Sequence, residues 1–216
     1  MQVTSMTVGT MSVCCYIALC EETKEAVIID PGGDEDKILA ECDKLGARVK
    51  YIINTHGHPD HDCGNGAIKE ATDAEIVLHK DDAEFFGKEE VKKYFSMLGL
   101  TPSPPPDKIV SDGDMISFGK EELQVILTPG HTPGGICLYS APHLFTGDTL
   151  FVGGVGRTDF PGGDGKTLFN AIKDRLLVLP DETKVWPGHG YGGASSTIGA
   201  EKKSNPFLTD SFWVGG

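Results

Sequence analysis

The stretch Thr55-His56-Gly57-His58-Pro59-Asp60-His61 constrains this chain more than any other. Three histidines and an aspartate fall within six positions. They follow the apolar run Tyr51-Ile52-Ile53 and precede the glycine-rich Cys63-Gly64-Asn65-Gly66. That places a cluster of metal-capable side chains at the end of a buried strand. If the strand continued, His56 and His58 would share a face, because alternate residues do. Asp60 and His61 could then address a second site from the other side. Imidazole and carboxylate donors together suit zinc, iron or manganese.

Composition matters here mainly for what it excludes. The formal net charge of −13 is the reverse of the basic field a general nucleic-acid binder carries. Bound metal would neutralise part of that acidity. The six cysteines, Cys14, Cys15, Cys20, Cys42, Cys63 and Cys137, form no C-x-x-C pair, so neither a zinc knuckle nor a thioredoxin-like motif is supported. Met1 to Gly9 lacks the basic and apolar regions of a secretory signal, and no apolar run reaches the length of a membrane span. The expectation is a cytoplasmic protein with no nucleic-acid or membrane partner. A chain of 216 residues with 28 glycines and 13 prolines fits a loop-rich fold of many short strands.

Taken in order, the chain reads as strands over 3–8, 12–19 and 26–29, a break at Asp30-Pro31-Gly32-Gly33, then a helix through Ile38, Leu39, Cys42 and Leu45 closed by Gly46. A strand over 49–54 delivers the histidine stretch. A short helix over 66–71 and a strand over 75–79 follow. A helical pair or one broken helix over 80–99 is expected to turn Phe85, Phe86, Tyr94, Phe95 and Leu98 to its apolar side. Thr101-Pro102-Ser103-Pro104-Pro105-Pro106 is a stiff extended connector, expected to cross between two halves. Strands over 115–118, 123–127, 136–140 and 143–146 follow, then an amphipathic helix over 166–179 and a strand over 184–186. Three of these second-half strands run into loops bearing His131, Asp148 and His189. Two sheets packed face to face with helices outside would gather such loops along one edge.

His56-Gly57-His58-Pro59-Asp60-His61, His131 in Pro-Gly-His-Thr-Pro-Gly, Asp148 in Phe-Thr-Gly-Asp-Thr and His189 in Pro-Gly-His-Gly together resemble the metallo-β-lactamase superfamily. The resemblance covers nearly the whole chain, with the motifs in the right order. It implies an α/β (α+β) fold, a four-layer αββα sandwich, as one domain over residues 1–216. It also implies two divalent metal ions, zinc first, with iron or manganese as alternatives. His56, His58 and His131 would hold the first ion, Asp60, His61 and His189 the second, and Asp148 would bridge them. Three neutral imidazoles leave an ion open to water, as catalytic sites require. Asp30, in the Asp-Pro-Gly-Gly break, is a candidate partner for the outer nitrogen of a ligand histidine. Its alternative role is to cap the turn before the first helix.

Asp148 separates branches of the resemblance. The antibiotic-hydrolysing members generally lack that bridging aspartate and are secreted, so β-lactam hydrolysis is not expected. The RNA-cleaving members carry a large inserted domain for which this length has no room. Gly188-His189-Gly190-Tyr191 is similar to a segment of glyoxalase II, the hydroxyacylglutathione hydrolases. Tyr191 and Arg157 become candidate substrate contacts. Glyoxalase II proper has a further C-terminal helical domain, so the chain looks like the short bacterial relatives. The reaction implied is hydrolysis of an S-2-hydroxyacylglutathione-type thioester by metal-activated hydroxide, with His56, His58, Asp60 and Asp148 at its centre. Gly156-Arg157-Thr158-Asp159-Phe160 resembles instead the persulfide dioxygenases, which use one iron on two histidines and an aspartate, here His56, His131 and Asp148.

Overall fold

Strand Val13–Leu19 is buried at every position, which a strand with one solvated face never is. Alternation explains it. Cys14, Tyr16 and Ala18 point into one apolar cluster, and Val13, Cys15, Ile17 and Leu19 into another. This strand therefore lies between two layers of packing, and the same is true of the centre of the second sheet.

A computed structural model describes residues 1–209; the remainder of the domain expected over 1–216 lies outside the described residues. The first sheet holds β1 (Gln2–Val8), β2 (Val13–Leu19), β3 (Glu25–Ile29), β4 (Arg48–Ile53), β5 (Glu75–His79) and β6 (Lys108–Val110), in that spatial order. The first three pair antiparallel and the rest parallel. The second sheet begins with β7 (Met115–Phe118), β8 (Glu121–Leu127), β9 (Ile136–Ser140) and β10 (His143–Gly147), all antiparallel neighbours. The small hairpin β11 (Leu150–Phe151) and β12 (Gly154–Val155) stands apart. Strand β13 (Lys184–Pro187) then pairs parallel with β10, and β14 (Ser196–Thr197) closes the edge.

Between the sheets lie Tyr16, Ile29, Ile53, Phe118, Val125, Phe145 and their neighbours. Outside the first sheet, Ile38 and Cys42 of α1 (Glu35–Leu45) and Ile68 of α3 (Asn65–Thr72) cover Ile17, Ile28 and Ile52. Outside the second, Leu168 of α6 (Gly165–Ala171), Ile172 and Leu176 in the wider helical turn after it, and Ile198 of α7 (Ile198–Ser204) cover Ile126, Cys137 and Val185. This is the expected αββα sandwich. Full burial of one such Leu or Ile is worth roughly 1.5–3 kcal/mol, so each layer is held by its own apolar face.

Four expectations are corrected. The proline connector does not cross between halves. It leads into β6, which still pairs with β5 of the first sheet, and the crossing comes after Val110. The helical pair α4 (Lys80–Phe86) and α5 (Glu89–Phe95) buries Phe95, but Tyr94 and Leu98 are exposed because α5 ends at Phe95 and a tight turn carries Leu98 outward. The helix expected over 166–179 ends at Leu176, where the backbone loosens before Pro180. The histidine stretch is not a continued strand. Pro59 starts the short helix α2 (Pro59–Asp62), which carries Asp60 and His61 away from His58. Among the described residues, no helix is long and apolar enough to cross a membrane.

Candidate metal centre

Five of the seven expected ligands sit in loops that follow strands on one edge of the sandwich, and Asp60 and His61 stand in α2 beside them. His56 and His58 follow β4, His131 follows β8, Asp148 follows β10 and His189 follows β13. Because β10 and β13 run parallel with Gly147 opposite Pro187, their ends bring Asp148 and His189 side by side. The glycines there are there for close approach. A Cβ on Gly188 would lie 2.1 Å from Asp148 Oδ1, and one on Gly147, which has φ +47°, would lie 2.3 Å from Thr55 Oγ1. The two sheets are tied together at the same place. The Cys14 amide donates to the Gly188 carbonyl at 2.8 Å, and the Tyr16 hydroxyl donates to the Pro187 carbonyl at 2.6 Å.

The side chains converge in two groups. His56, His58 and His131 bring ligand atoms within 4.8 Å of one another, and Asp60, His61 and His189 do the same. Asp148 lies between them. Its Oδ1 is 3.4 Å from His61 Nε2, and its Oδ2 is 3.6 Å from both His131 Nε2 and His189 Nε2. His61 Nε2 and His189 Nε2 face each other at 3.3 Å. Nε2 of His56, His58 and His131 and Oδ1 of Asp148 are buried with no hydrogen-bond partner among the described residues. Buried polar atoms normally find one. Lone pairs converging in this way, in two groups with a carboxylate between, fit a dinuclear metal site.

Asp30, His56 and His61 also converge, but Asp30 is spent on hydrogen bonds. Its Oδ1 accepts from the Thr55 amide at 2.8 Å, and its Oδ2 accepts from the Thr55 hydroxyl at 2.6 Å and His61 Nδ1 at 3.0 Å. The Thr55 hydroxyl lies 3.0 Å from His56 Nδ1. Asp30 therefore orients His61 directly and His56 through Thr55, leaving the other nitrogen of each ring for the centre. It does not cap α1; Asp34 occupies that position. His131 Nδ1 donates to the Arg157 carbonyl at 2.6 Å.

The electrostatics match the two groups. Burial, followed by the neighbouring imidazoles, holds His56 well below the usual histidine range. Burial also lowers His58 and His131. Burial alone would lower His61 too, but Asp148, Asp60 and Asp30 around it hold it at about 10. Asp60 is pushed down despite its burial, by His61, His189 and His58. The histidine trio is thus neutral and ready to donate lone pairs, and the carboxylates of Asp148, Asp60 and Asp30 gather around His61 in the second group.

The two expected substrate contacts fall differently. Tyr191 is 75% exposed and stacks on the His189 ring, with centroids 4.9 Å apart and planes within 10°. Arg157 gives its guanidinium to Asp159, in two bonds of 2.7 Å, and lies 3.8 Å over the Phe160 ring. Its side chain flanks the centre, and only its carbonyl reaches a ligand. Cys63 is a buried free thiol. Sequence reading missed Thr55, Asp82 and the rings of Phe86, Phe95 and Phe160, which pack on His58 with centroids 5.0–5.7 Å away. Thr55 stands inside the histidine motif and could have been read as a partner. The others carry no local signal.

A family model described as Metallo-beta-lactamase superfamily matches residues 9–189. The hydroxyacylglutathione hydrolase GloC of Haemophilus influenzae is 36% identical, over 87% of this chain and 89% of that protein. The human mitochondrial persulfide dioxygenase ETHE1 is 33% identical, over 90% of this chain and 70% of that protein. Among solved structures, the B3 metallo-beta-lactamase BLEG-1 superposes with a TM-score of 0.88 at 31% identity, covering 97% of this chain and 100% of that one. TTHA1623, solved in a di-iron-bound form, superposes with a TM-score of 0.82 at 37% identity, covering 95% and 100%.

Proposed function

This chain belongs to the metallo-beta-lactamase superfamily, and from that premise we propose that it is a metal-dependent hydrolase of S-2-hydroxyacylglutathione-type thioesters. The observation that carries the reading is the pair of converging ligand groups with Asp148 between them, combined with Tyr191 stacked in the open on His189. His56, His58 and His131 would hold one divalent ion, Asp60, His61 and His189 the other, and Asp148 both; zinc suits this donor set, as do iron and manganese. Two such ions supply Lewis acidity and lower the pKa of water from about 16 to about 7.

The protein's own groups then have distinct tasks. The Asp60 carboxylate accepts a hydrogen of the attacking water and aims its oxygen at the thioester carbon. Asp148 keeps the two ligand groups in register. Asp30 and Thr55 fix the ring orientations of His61 and His56. Tyr191 offers an exposed face and hydroxyl to the thiol carrier. Water oxygen bonds to the carbonyl carbon, the carbon–sulfur bond breaks, and a 2-hydroxy acid and a free thiol leave. No cysteine nucleophile is needed; all six thiols are unpaired and buried, which fits a reducing compartment.

The second reading is an iron persulfide dioxygenase on His56, His131 and Asp148. It draws on the likeness to human ETHE1 and on the Gly156–Phe160 loop, whose Arg157 carbonyl holds His131. Thiol release from S-lactoylglutathione, oxygen uptake with glutathione persulfide, and opening of a chromogenic β-lactam should be measured on one metal-loaded preparation. Thiol release alone, with two metals per chain, supports the hydrolase. Oxygen uptake with one iron supports the dioxygenase. Turnover of the β-lactam alone overturns both.

A further inference from the structure

Asp82 belongs to neither ligand group, yet all its hydrogen bonds lead to the loops that carry one of them. It is fully buried in the first turn of α4. Its Oδ2 accepts from the Gly57 amide at 2.9 Å and from the Thr132 hydroxyl at 2.8 Å. Its Oδ1 accepts from the Gly134 amide at 2.6 Å. Gly57 lies between His56 and His58, and Thr132 follows His131. We propose that Asp82 is the positioning residue that holds His56, His58 and His131 together as one metal site.

Three observations carry this beyond an ordinary helix-start aspartate. Asp82 does not serve its own helix, because His79 caps α4 by accepting from the Asp81 amide. It has no cation partner among the described residues, and a buried carboxylate without one is costly unless hydrogen bonds satisfy it. Here two backbone amides and a hydroxyl supply them, from segments 25, 50 and 52 residues away in sequence. Both loops also press on α4 where only glycine fits. A Cβ on Gly134 would lie 2.3 Å from the Asp82 amide nitrogen, and one on Gly57 would lie 2.4 Å from the Phe86 ring.

Among the described residues, the only other hydrogen bond tying these loops directly, from the Ile136 amide to the Thr55 carbonyl at 2.8 Å, lies at their base. Asp82 closes the pair at the tips, where the rings of His56 and His58 stand 4.8 and 4.6 Å from that of His131. A carboxylate suits the position because it accepts on both oxygens, whereas an amide accepts on one. Burial pushes the Asp82 carboxyl up to about 6, with the three donors opposing, so it is ionised at neutral pH.

The inference rests on the metal reading above, and one experiment separates the two. The metal-stripped full chain is titrated with Zn2+ against a chromophoric chelator, and the Asp82→Asn and Asp82→Ala variants are treated alike, with folding checked by circular dichroism. The wild type should show two sites. Each folded variant should lose affinity about 10–100-fold at one site, the range typical of groups that orient ligands, and keep the other within about threefold. Thr132→Val, which removes one donor of three, should fall between. Co2+ spectra should show altered bands for the weakened site only. If Asp82→Ala does not fold, Asp82→Asn, which keeps the size and one acceptor, decides. Two wild-type affinities in a folded Asp82→Asn overturn the inference, as does an equal loss at both sites. A wild type that takes up no Zn2+ overturns the metal reading, and this inference with it.

Discussion

Replacing Asp30 by Asn isolates the charge that orients His61. Asp30 sits at φ +52°, a conformation that Asn tolerates and Ala does not, so the backbone is left alone. The wild-type carboxylate serves three buried donors, the Thr55 amide, the Thr55 hydroxyl and His61 Nδ1. An amide can satisfy them in only one of two ways. With its oxygen on the Thr55 amide, its NH2 donates to His61 Nδ1. The imidazole proton then moves to Nε2, which faces Asp148 and His189 and is the atom a metal ion needs bare. With the amide turned over, His61 is correct but the Thr55 N–H is buried without an acceptor, a cost of about 1–3 kcal/mol. Loss of an orienting partner typically weakens metal binding 10–100-fold, or about 1.4–2.7 kcal/mol. Zn2+ competition titration of the metal-free variant should show that loss at the site of His61, and a smaller one at the site of His56, which Asp30 orients only through Thr55. Denaturant unfolding of the metal-free proteins should show a loss of no more than about 3 kcal/mol. A folded Asp30→Asn that binds two ions as the wild type does would refute the reasoning.

Asp148→Ala should lose both metal content, measured by elemental analysis, and thioesterase activity, since both ligand groups approach that carboxylate; full activity in the variant would sink the bridging role. Tyr191→Ala should raise KM for the thioester several-fold at nearly unchanged kcat, and unfolding free energy should stay within about 0.5 kcal/mol, because the ring is exposed and packs on one face only. Asp82 makes the metal-free protein lose stability as pH rises. Its folded pKa, about 6, lies above the usual aspartate value, so its contribution is full below pH about 4 and gone above about 6. The step is worth about 3 kcal/mol from two pKa units. The difference in unfolding free energy between wild type and Asp82→Asn should fall by that amount over this window, and a flat difference would contradict it.

The sequence by itself determined the candidate ligands and the fold class, because both are written in short, local patterns. His56, His58, Asp60 and His61 lie within one turn of chain after an apolar strand, and His131, Asp148 and His189 each follow another. Apolar runs of strand length with helical stretches between them led to the sandwich, since each layer must bury its own face. Asp30 was half legible: its bond to the outer nitrogen of a ligand histidine could be read, but not that the histidine is His61 or that Thr55 shares the carboxylate. Lys108–Val110 was missed because three residues after a proline run carry no period; its pairing with β5 makes it a strand. Arg157 stood out as a cation, and only its neighbours Asp159 and Phe160 revealed that the guanidinium is engaged and the carbonyl holds His131. Asp82 had no mark at all. Its role comes from three donors far away in sequence that meet one carboxylate only when α4 packs beneath both loops, and such an arrangement follows from packing rather than from spacing.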